Sequence, residues 1–381
     1  MMKRNSLIIS NANILTRDNE FKLGNIEIED GRIKCLIFDD VSSSDYDAKG
    51  AYVIPGLIDI HSHGAIGHDY CDTNAKDLDE ITSYELSCGV TSLCATTMTY
   101  PKEKLTSVMQ ELANYESKCG SEIVGINMEG PFISKERVGA QNPEYVQAPD
   151  FEMLKSLDDA SGGKIKLVDV APEVEGCIDF IKQASKNYAV SVAHTNCTYE
   201  IALKAYKAGA RHLTHTFNTM PPIAHRSPGP IPAASESGAY AELICDGQHV
   251  NYAAVRLAYK LFDNKICLIS DSCEATGLND GEYSLGGQQI IKQGTKVVLK
   301  EDKNTIAASA TNLFDCLKHA ILDANIQKEV AIASATINPA KAIGIDSLYG
   351  SIEPGKFADL LVVDDKFNLV DVFKKGTCFK K

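Results

Sequence analysis

Short apolar runs alternate with longer amphipathic stretches through the middle of the chain. The longer stretches have the spacing of helices, as in Tyr199–Ala208 and Tyr252–Phe262, and most follow an apolar run. Repeated strand–helix units are typical of a parallel sheet. Because eight such units favour a closed barrel over an open sheet, we expect an α/β fold of the (β/α)8 TIM-barrel type. The predicted strands are 53–60, 91–96, 123–128, 166–170, 189–193, 212–214, 241–245 and 266–270.

The two ends of the chain carry a different pattern. Residues 6–53 hold short apolar runs separated by Asn, Asp and Gly, and similar runs follow Pro354 and Gly355 near the other end. Short strands joined by tight turns indicate an antiparallel unit. We therefore expect a small discontinuous β-sandwich domain made of residues 1–54 and 350–381, with the barrel domain between them at 55–349.

Residues 272–308 depart from the barrel pattern. Gly281, Gly286, Gly287 and Gly294 separate short polar runs of β type in this segment. We expect a hairpin-rich excursion close to the active site, and it is a candidate lid. Two further helices, over 312–325 and 327–335, are predicted to lead back to the sandwich.

Charge and composition limit the partners of the chain. The formal net charge of -13 argues against nucleic acid and anionic membrane surfaces as partners. No apolar run reaches membrane-spanning length, and the apolar stretch after Met1–Ser6 is too short for a signal peptide. The 12 cysteines include no Cys-x-x-Cys pair, and several lie in apolar runs. This usage favours reduced, buried thiols and a cytoplasmic location.

Histidines and one glutamate follow the predicted strands, where a barrel places its active site. His61 and His63 lie two residues apart at the end of the first strand, so their imidazoles point to one spot. Glu129, His194 and His215 follow the third, fifth and sixth strands. Imidazole and carboxylate are the usual ligands of catalytic metal sites. We expect one or two divalent ions per chain, and these ligands suit Zn, Fe, Mn or Co almost equally.

A further carboxylate, Asp271, ends the eighth predicted strand. A carboxylate near a metal-activated water can accept its proton and return it to a leaving nitrogen, which is the chemistry of amide hydrolysis. His212 lies on the strand face opposite His215, so we assign it to packing. The chain has no Gly-x-Ser-x-Gly elbow, no Walker loop and no Gly-x-Gly-x-x-Gly after a strand, which disfavours covalent and nucleotide-cofactor chemistry.

Six motifs together resemble the N-acetylglucosamine-6-phosphate deacetylase family of the amidohydrolase superfamily. They are Pro-Gly-x-Ile-Asp-x-His-x-His, Met-Glu-Gly-Pro-Phe, Ala-His-Thr, His-Thr-Phe-Asn-Thr-Met, Cys-Asp-Gly-Gln-His-Val and Ser-Asp-Ser-Cys-Glu-Ala-Thr-Gly. The resemblance implies that Asp271 is the general base and acid. It also implies that the main metal ion is held by Glu129, His194 and His215. His61 and His63 are similar to a pair that some members use for a second metal and others lack.

The resemblance further implies a phosphosugar substrate and a homodimer. Some members carry a His that contacts the substrate carbonyl where this chain has Gln141, whose amide can donate the same hydrogen bond. Arg226 lies in a Pro- and Gly-rich loop after the sixth strand and is expected to bind the phosphate, in its own or the neighbouring subunit. The substrate-binding positions implied by the resemblance are Ala140, Gln141, Asn218, Thr219, Arg226 and His249.

The expected reaction is removal of the N-acetyl group of N-acetylglucosamine 6-phosphate, giving glucosamine 6-phosphate and acetate. The galactosamine epimer of this substrate stays open, because it differs only in one hydroxyl orientation. A cyclic amidase of the dihydroorotase or hydantoinase kind is a weaker alternative. Those enzymes bridge two metals with a modified Lys at the end of the fourth strand, whereas Lys164 and Lys166 lie at its start. A non-catalytic scaffold would be expected to have lost ligands, and none is lost.

Overall fold

The computed structural model describes residues 6–41 and 43–380. Met1–Asn5, on which the signal-peptide prediction partly rests, lies outside the described residues, as do Ser42 and Lys381. No helix in the described part of the chain combines the length and the apolar character that crossing a membrane requires.

Eight parallel strands form a barrel and follow one another around it in chain order. The first and last strands meet through the backbone, because the Asp271 N–H donates to the His61 carbonyl at 2.9 Å and the His63 N–H donates to the Ser272 carbonyl at 2.8 Å. The predicted barrel is therefore confirmed. Its strands are Leu57–Ser62, Val90–Thr97, Glu122–Met128, Ile165–Val170, Ala189–Val192, His212–Leu213, Tyr240–Ile244 and Ile266–Ile269.

The prediction of a single first strand over 53–60 is wrong, because the chain changes sheets at Gly56. Tyr52–Pro55 pairs antiparallel with Leu360–Val363, whereas Leu57–Ser62 pairs parallel with the second barrel strand. Both segments are almost entirely buried, so the apolar pattern runs through the break without interruption. A Cβ on Gly56 would overlap the Thr91 side chain, so only glycine allows the crossing here.

Ten α-helices lie in the described part of the chain. The first begins at Ala75, where Asn74 and Asp77 form a capping box. The helices turn apolar faces to the barrel, as Tyr199–Ala208 does with Ala202, Ala205 and Tyr206. The helices are Ala75–Ser87, Lys102–Asn114, Phe151–Ala160, Cys177–Ala184, Tyr199–Ala208, Pro230–Glu236, Tyr252–Phe262, Leu313–Leu322, Lys328–Ser334 and Ile337–Ala342, with 3-10 turns at Pro143–Tyr145 and Asp263–Lys265.

Strands from both chain ends join in a second eight-stranded sheet. This sheet has an apolar cluster of its own, which includes Ile9, Ile26 and Phe373. The expected β unit built from both ends is thus present, while the domain boundaries at 54/55 and 349/350 stay a prediction. The strands are Ser6–Leu15, Phe21–Glu29, Arg32–Ile37, Tyr46–Asp47, Tyr52–Pro55, Leu360–Val363, Leu369–Lys374 and Thr377–Lys380.

Residues 281–309 form a four-stranded antiparallel sheet after the last barrel strand, in line with the expected hairpins. Its strands are Gly281–Leu285, Gln288–Gln293, Lys296–Leu299 and Ile306–Ser309, and a short hairpin, Gly64–Ala65 with His68–Asp69, follows the first barrel strand. The Gln288 side-chain amide donates to the Ala140 carbonyl at 2.5 Å. The excursion therefore contacts the loop that carries Ala140, and its role as a lid stays a prediction.

Candidate active site

Glu129, His194 and His215 converge at the carboxyl end of the barrel. Glu129 Oε1 lies 3.0 Å from His194 Nε2 and 3.1 Å from His215 Nε2, and the two nitrogens are 3.1 Å apart. Two ligands bound at about 2.0–2.1 Å in a tetrahedral metal site lie roughly 3.3 Å from each other. The three ligand atoms therefore already have nearly the spacing that one metal ion requires.

His61 and His63 approach the same carboxylate from the first strand. Their Nε2 atoms lie 3.5 Å from Glu129 Oε1 and 3.4 Å from Glu129 Oε2, respectively. Asp271 Oδ1 lies 3.6 Å from His61 Nε2 and 3.4 Å from His63 Nε2. Two groups of possible ligands thus share Glu129, one completed by His61 and His63 and the other by His194 and His215.

The backbone at three of these strand ends adopts a conformation that side chains rarely tolerate. His194, His215 and Asp271 have φ angles of +40°, +26° and +50°. Such angles cost free energy, and in proteins they cluster at functional sites. Gly130, which follows Glu129, has φ +88°, and a Cβ there would overlap Thr99 Oγ1. The strand ends are therefore shaped to aim these side chains at a common point.

Hydrogen bonds leave ring nitrogens free to face that point. His194 Nδ1 lies 2.9 Å from the Arg137 carbonyl, which can only accept, so the Nδ1–H donates and Nε2 carries the lone pair. His61 Nδ1 lies 2.9 Å from Glu242 Oε2, while its Nε2 has no hydrogen-bond partner in the described part of the chain. In the neutral form, both imidazoles therefore present Nε2 as a ligand.

The site is buried and its charges favour a bound cation. Burial raises the pKa of Glu129, but His61 and His194 outweigh it and hold that pKa well below the ordinary value. Burial lowers the pKa of His61, but Glu242 and Glu129 raise it well above the ordinary value. The surrounding carboxylates thus stabilise positive charge at the ligand atoms. The donor set of imidazole nitrogens and carboxylate oxygens fits a divalent metal and does not select one.

Asp271 is ionised near neutral pH. Burial raises its pKa, but the hydrogen bond from His63 and the charges of His61 and His63 lower it below the ordinary value. The carboxylate lines the cavity beside the two groups of ligands. Asp271 is therefore in a state that accepts a proton.

A cavity of about 290 Å³ opens above the ligands. It is also lined by residues 304–307 of the excursion. His249 faces it and is held by Asp246, whose Oδ2 lies 2.8 Å from His249 Nδ1. Five of the six expected substrate-binding residues line it, namely Ala140, Gln141, Asn218, Thr219 and His249.

Gln141 is held in place by the protein itself. Its Nε2 donates to Glu129 Oε2 at 2.5 Å, and its Oε1 accepts from the Thr99 N–H at 2.7 Å. The remaining amide hydrogen faces Met98 Sδ at 3.7 Å. The side chain therefore orients Glu129, and in this structure its N–H groups are not free for a substrate carbonyl.

The match to known families covers most of this chain. The amidohydrolase family model matches residues 52–378. The chain belongs to the amidohydrolase family. Membership of the amidohydrolase superfamily, which the motifs led us to expect, is thereby confirmed.

Three proteins illustrate the similarity of this amidohydrolase to known ones. It is 33% identical to N-acetylglucosamine-6-phosphate deacetylase of Bacillus subtilis (strain 168), over 97% of this chain and 96% of that protein. It is 29% identical to N-acetylgalactosamine-6-phosphate deacetylase of Escherichia coli O157:H7, over 95% and 96% of the two chains. A mutant of N-acetyl-D-glucosamine-6-phosphate deacetylase from Mycobacterium smegmatis, solved in complex with N-acetyl-D-glucosamine-6-phosphate, aligns with a TM-score of 0.91 and 28% identity over 98% and 99% of the two chains.

Arg226 is the expected substrate-binding residue that the structure does not bring to the site of this amidohydrolase. It is exposed in a turn closed by the Ser227 N–H donating to the Ala224 carbonyl at 3.1 Å. The cavity lining contains no Lys or Arg among the described residues. Within one chain, the cavity therefore lacks a permanent cation for a phosphate group.

Sequence reasoning missed the buried polar residues below the ligands. Glu242 lies in the middle of the strand Tyr240–Ile244 and contacts both His61 and His212. Asp59 and Asp169 are equally buried in strands of the barrel. His212 is fully buried and lies 3.1 Å from Glu242, away from the ligand atoms. A charged residue inside an apolar run is the signal that could have identified Glu242, because such residues are rarely buried unless they are paired or coordinate a metal.

Proposed function

We propose that this amidohydrolase removes the N-acetyl group of N-acetylglucosamine 6-phosphate, forming glucosamine 6-phosphate and acetate. The observation that carries the proposal is the convergence of Glu129, His194 and His215 beside Asp271 at one cavity. The full-length similarity to the relative from Bacillus subtilis supports the choice of substrate.

Glu129, His194 and His215 would hold the main divalent ion, and His61 and His63 would complete a second position with Glu129. When bound, the ion supplies Lewis acidity, which polarises the amide carbonyl and lowers the pKa of a water molecule. The chain's own part is to align the ligand atoms, which it does through the strained strand ends and the hydrogen bonds on the far side of His61 and His194.

Asp271 would transfer the proton. As an ionised carboxylate, it accepts a proton from the attacking water at Oδ1 while the water oxygen bonds to the acetyl carbon. It then donates that proton to the sugar nitrogen as the carbon–nitrogen bond breaks. One water is consumed: one of its hydrogens reaches the sugar nitrogen through Asp271, and the other leaves with the acetic acid, which ionises to acetate and a proton.

The sugar would be held by Asn218, Thr219 and His249, which line the cavity. Burial lowers the pKa of His249, but the hydrogen bond with Asp246 raises it above the ordinary value. The phosphate needs a permanent positive charge, and no Lys or Arg lines the cavity in the described part of the chain. We therefore propose a homodimer in which Arg226 of one subunit binds the phosphate in the cavity of the other.

A cytoplasmic location is also proposed, on the basis of the free cysteines.

Deacetylation of the galactosamine epimer is the second candidate. The similarity to the relative from Escherichia coli favours it, since that relative carries this activity in its name. The two epimers differ in one hydroxyl, so the cavity residues that contact that hydroxyl decide between them.

The test compares the two N-acetylhexosamine 6-phosphates and their forms without phosphate as substrates of the purified enzyme. Release of acetate and of free amine is followed, with the Asp271→Asn variant as the inactive control. The proposal expects the highest kcat/KM for N-acetylglucosamine 6-phosphate. A higher value for the galactosamine epimer would transfer the assignment to that substrate, and no amine release from either would reject both.

A further inference from the structure

Glu242 connects the two groups of metal ligands from beneath. Its side chain is fully buried in the seventh barrel strand. Oε2 lies 2.9 Å from His61 Nδ1 and accepts from the His215 N–H at 3.2 Å, and Oε1 lies 3.1 Å from His212 Nε2. One carboxylate therefore contacts a ligand residue of each group.

The contact with His61 determines which ring nitrogen carries the hydrogen. An ionised carboxylate only accepts hydrogen bonds, so the hydrogen of a neutral His61 belongs on Nδ1. The opposite tautomer would set the Nδ1 lone pair against Glu242, which is unfavourable. In the neutral ring, Nε2 then keeps its lone pair on the side of Glu129 and Asp271, at 3.5 and 3.6 Å, and a bound cation is needed to offset these facing carboxylates.

The contact with His215 supports the backbone of the second group. Glu242 accepts a hydrogen bond from the His215 N–H. The φ angle of His215 is +26°, a conformation that persists only when the surroundings stabilise it. His212 occupies the other carboxylate oxygen and keeps Glu242 from turning away. A buried charge is costly unless it is paired and hydrogen-bonded, and all of these contacts of Glu242 lead to histidines.

We infer that Glu242 is a positioning residue, which sets the His61 tautomer and thereby enables His61, His63 and Glu129 to hold the second metal ion. The inference rests on the metal dependence in the proposed function. Glu242 then determines how many metal ions each chain retains. His212 holds the Glu242 carboxylate in place.

Metal titration of the purified full-length chain tests this role without using activity. Wild type, Glu242→Gln and Glu85→Gln are stripped with a chelator and titrated with Zn²⁺ against a competing dye, and retained zinc is counted by elemental analysis. Glu85 is a matched control, because it is also buried in the barrel domain and its oxygens have no hydrogen-bond partner in the described part of the chain. Partners of ligand histidines typically contribute 10–100-fold to metal affinity. We expect Glu242→Gln to weaken one site by that factor, and Glu85→Gln to match wild type.

Ring-nitrogen NMR of the zinc-loaded wild type is the second measurement, and it does not depend on whether a variant folds. We expect His61 to carry its hydrogen on Nδ1, with the downfield proton shift of a hydrogen bond to a carboxylate. A hydrogen on Nε2 would overturn the inference. Equal zinc affinity and stoichiometry in folded Glu242→Gln and wild type would also overturn it, as would equal losses in both Gln variants. If wild type itself retains no metal, the proposed function fails first, so the two failures are distinguishable.

Discussion

His194 and His215 bring their Nε2 atoms to within 3.1 Å of each other, and these atoms lie 3.0 and 3.1 Å from Glu129 Oε1. The hydrogen of His194 is on Nδ1, where it meets the Arg137 carbonyl, so its Nε2 is an acceptor. A single hydrogen on His215 Nε2 could bond to only one of the two facing acceptors, His194 Nε2 and Glu129 Oε1, at a time. A divalent cation stabilises all three electron-rich atoms together. The arrangement therefore suits a bound divalent metal ion.

Metal removal should abolish activity and lower stability. Dialysis against a chelator is expected to leave no measurable deacetylation, and added Zn²⁺, Co²⁺ or Mn²⁺ should restore it. A ligand present at about 100 times its Kd stabilises a fold by roughly 2.7 kcal/mol, so the stripped protein should unfold at lower urea. Elemental analysis should return one or two equivalents per chain. Full activity in a preparation without transition metal would exclude the mechanism.

Asp271→Asn should lose catalysis and keep its metal. The amide has the shape of the carboxylate but cannot accept a proton from water, and positioned acid–base groups contribute about a hundred- to ten-thousand-fold in rate. The drop should appear in kcat, with zinc content and thermal unfolding close to wild type. Near-normal turnover would mean that another group takes the proton.

Gln141→Leu should destabilise the apo protein. The change removes the donor to Glu129 and leaves the buried Thr99 N–H without its acceptor. An unsatisfied buried polar group costs about 1–3 kcal/mol, which urea unfolding of the metal-free chain measures. Gln183→Leu is the control, since Gln183 is exposed on a helix, and it should change stability by less than about 0.5 kcal/mol. Equal stability of the Gln141 variant and wild type would show that these contacts contribute nothing.

Arg226→Ala should raise KM far more for the phosphorylated sugar than for the same sugar without phosphate. Loss of a charge-assisted hydrogen bond to phosphate costs about 1.5–3 kcal/mol, or roughly 10–150-fold in KM. Lys260→Ala removes a charge from an exposed helix position and serves as the control. Sedimentation should give a dimer. An equal effect of Arg226→Ala on both sugars would remove Arg226 from the phosphate site.

Glu85 should make the fold less stable as pH rises. Burial and then Asp59 raise the pKa of Glu85 to about 8, whereas an unfolded chain releases this proton near its ordinary pKa of 4.5. Below 4.5 both states hold the proton. Between 4.5 and about 8 the unfolded state is ionised while the folded state is not, so the free energy of unfolding falls by up to about 1.4 kcal/mol per pH unit.

The Glu85→Gln variant isolates this contribution, because its amide does not titrate. Urea unfolding at pH 5.5, 7 and 8.5 should show a shallower decline with pH for the variant than for wild type. The stability difference between the two should therefore shift in favour of the variant as pH rises. Parallel curves over this range would mean that Glu85 does not keep its proton in the folded state.

The sequence by itself determined the barrel and the candidate ligand set. Apolar runs alternating with helical patterns are local features, and the position of a residue at a strand end follows from the same pattern. In a barrel all strands run the same way, so the carboxyl ends of all the strands lie on one face. For this reason, Glu129, His194 and His215 could be expected to meet although they are far apart in the chain. The His-x-His spacing is also local.

Only the tertiary structure decided which side chains support these ligands. Glu242 meets His61 across 181 positions of sequence, and that contact depends on the closure of the barrel. The bond from Gln141 to Glu129 depends on how a loop folds back over a strand end. The break at Gly56 and the position of Arg226 away from its own cavity were decided in the same way. Periodicity reports which face of a strand is buried, whereas partners across strands are set by register and closure, which no local pattern encodes.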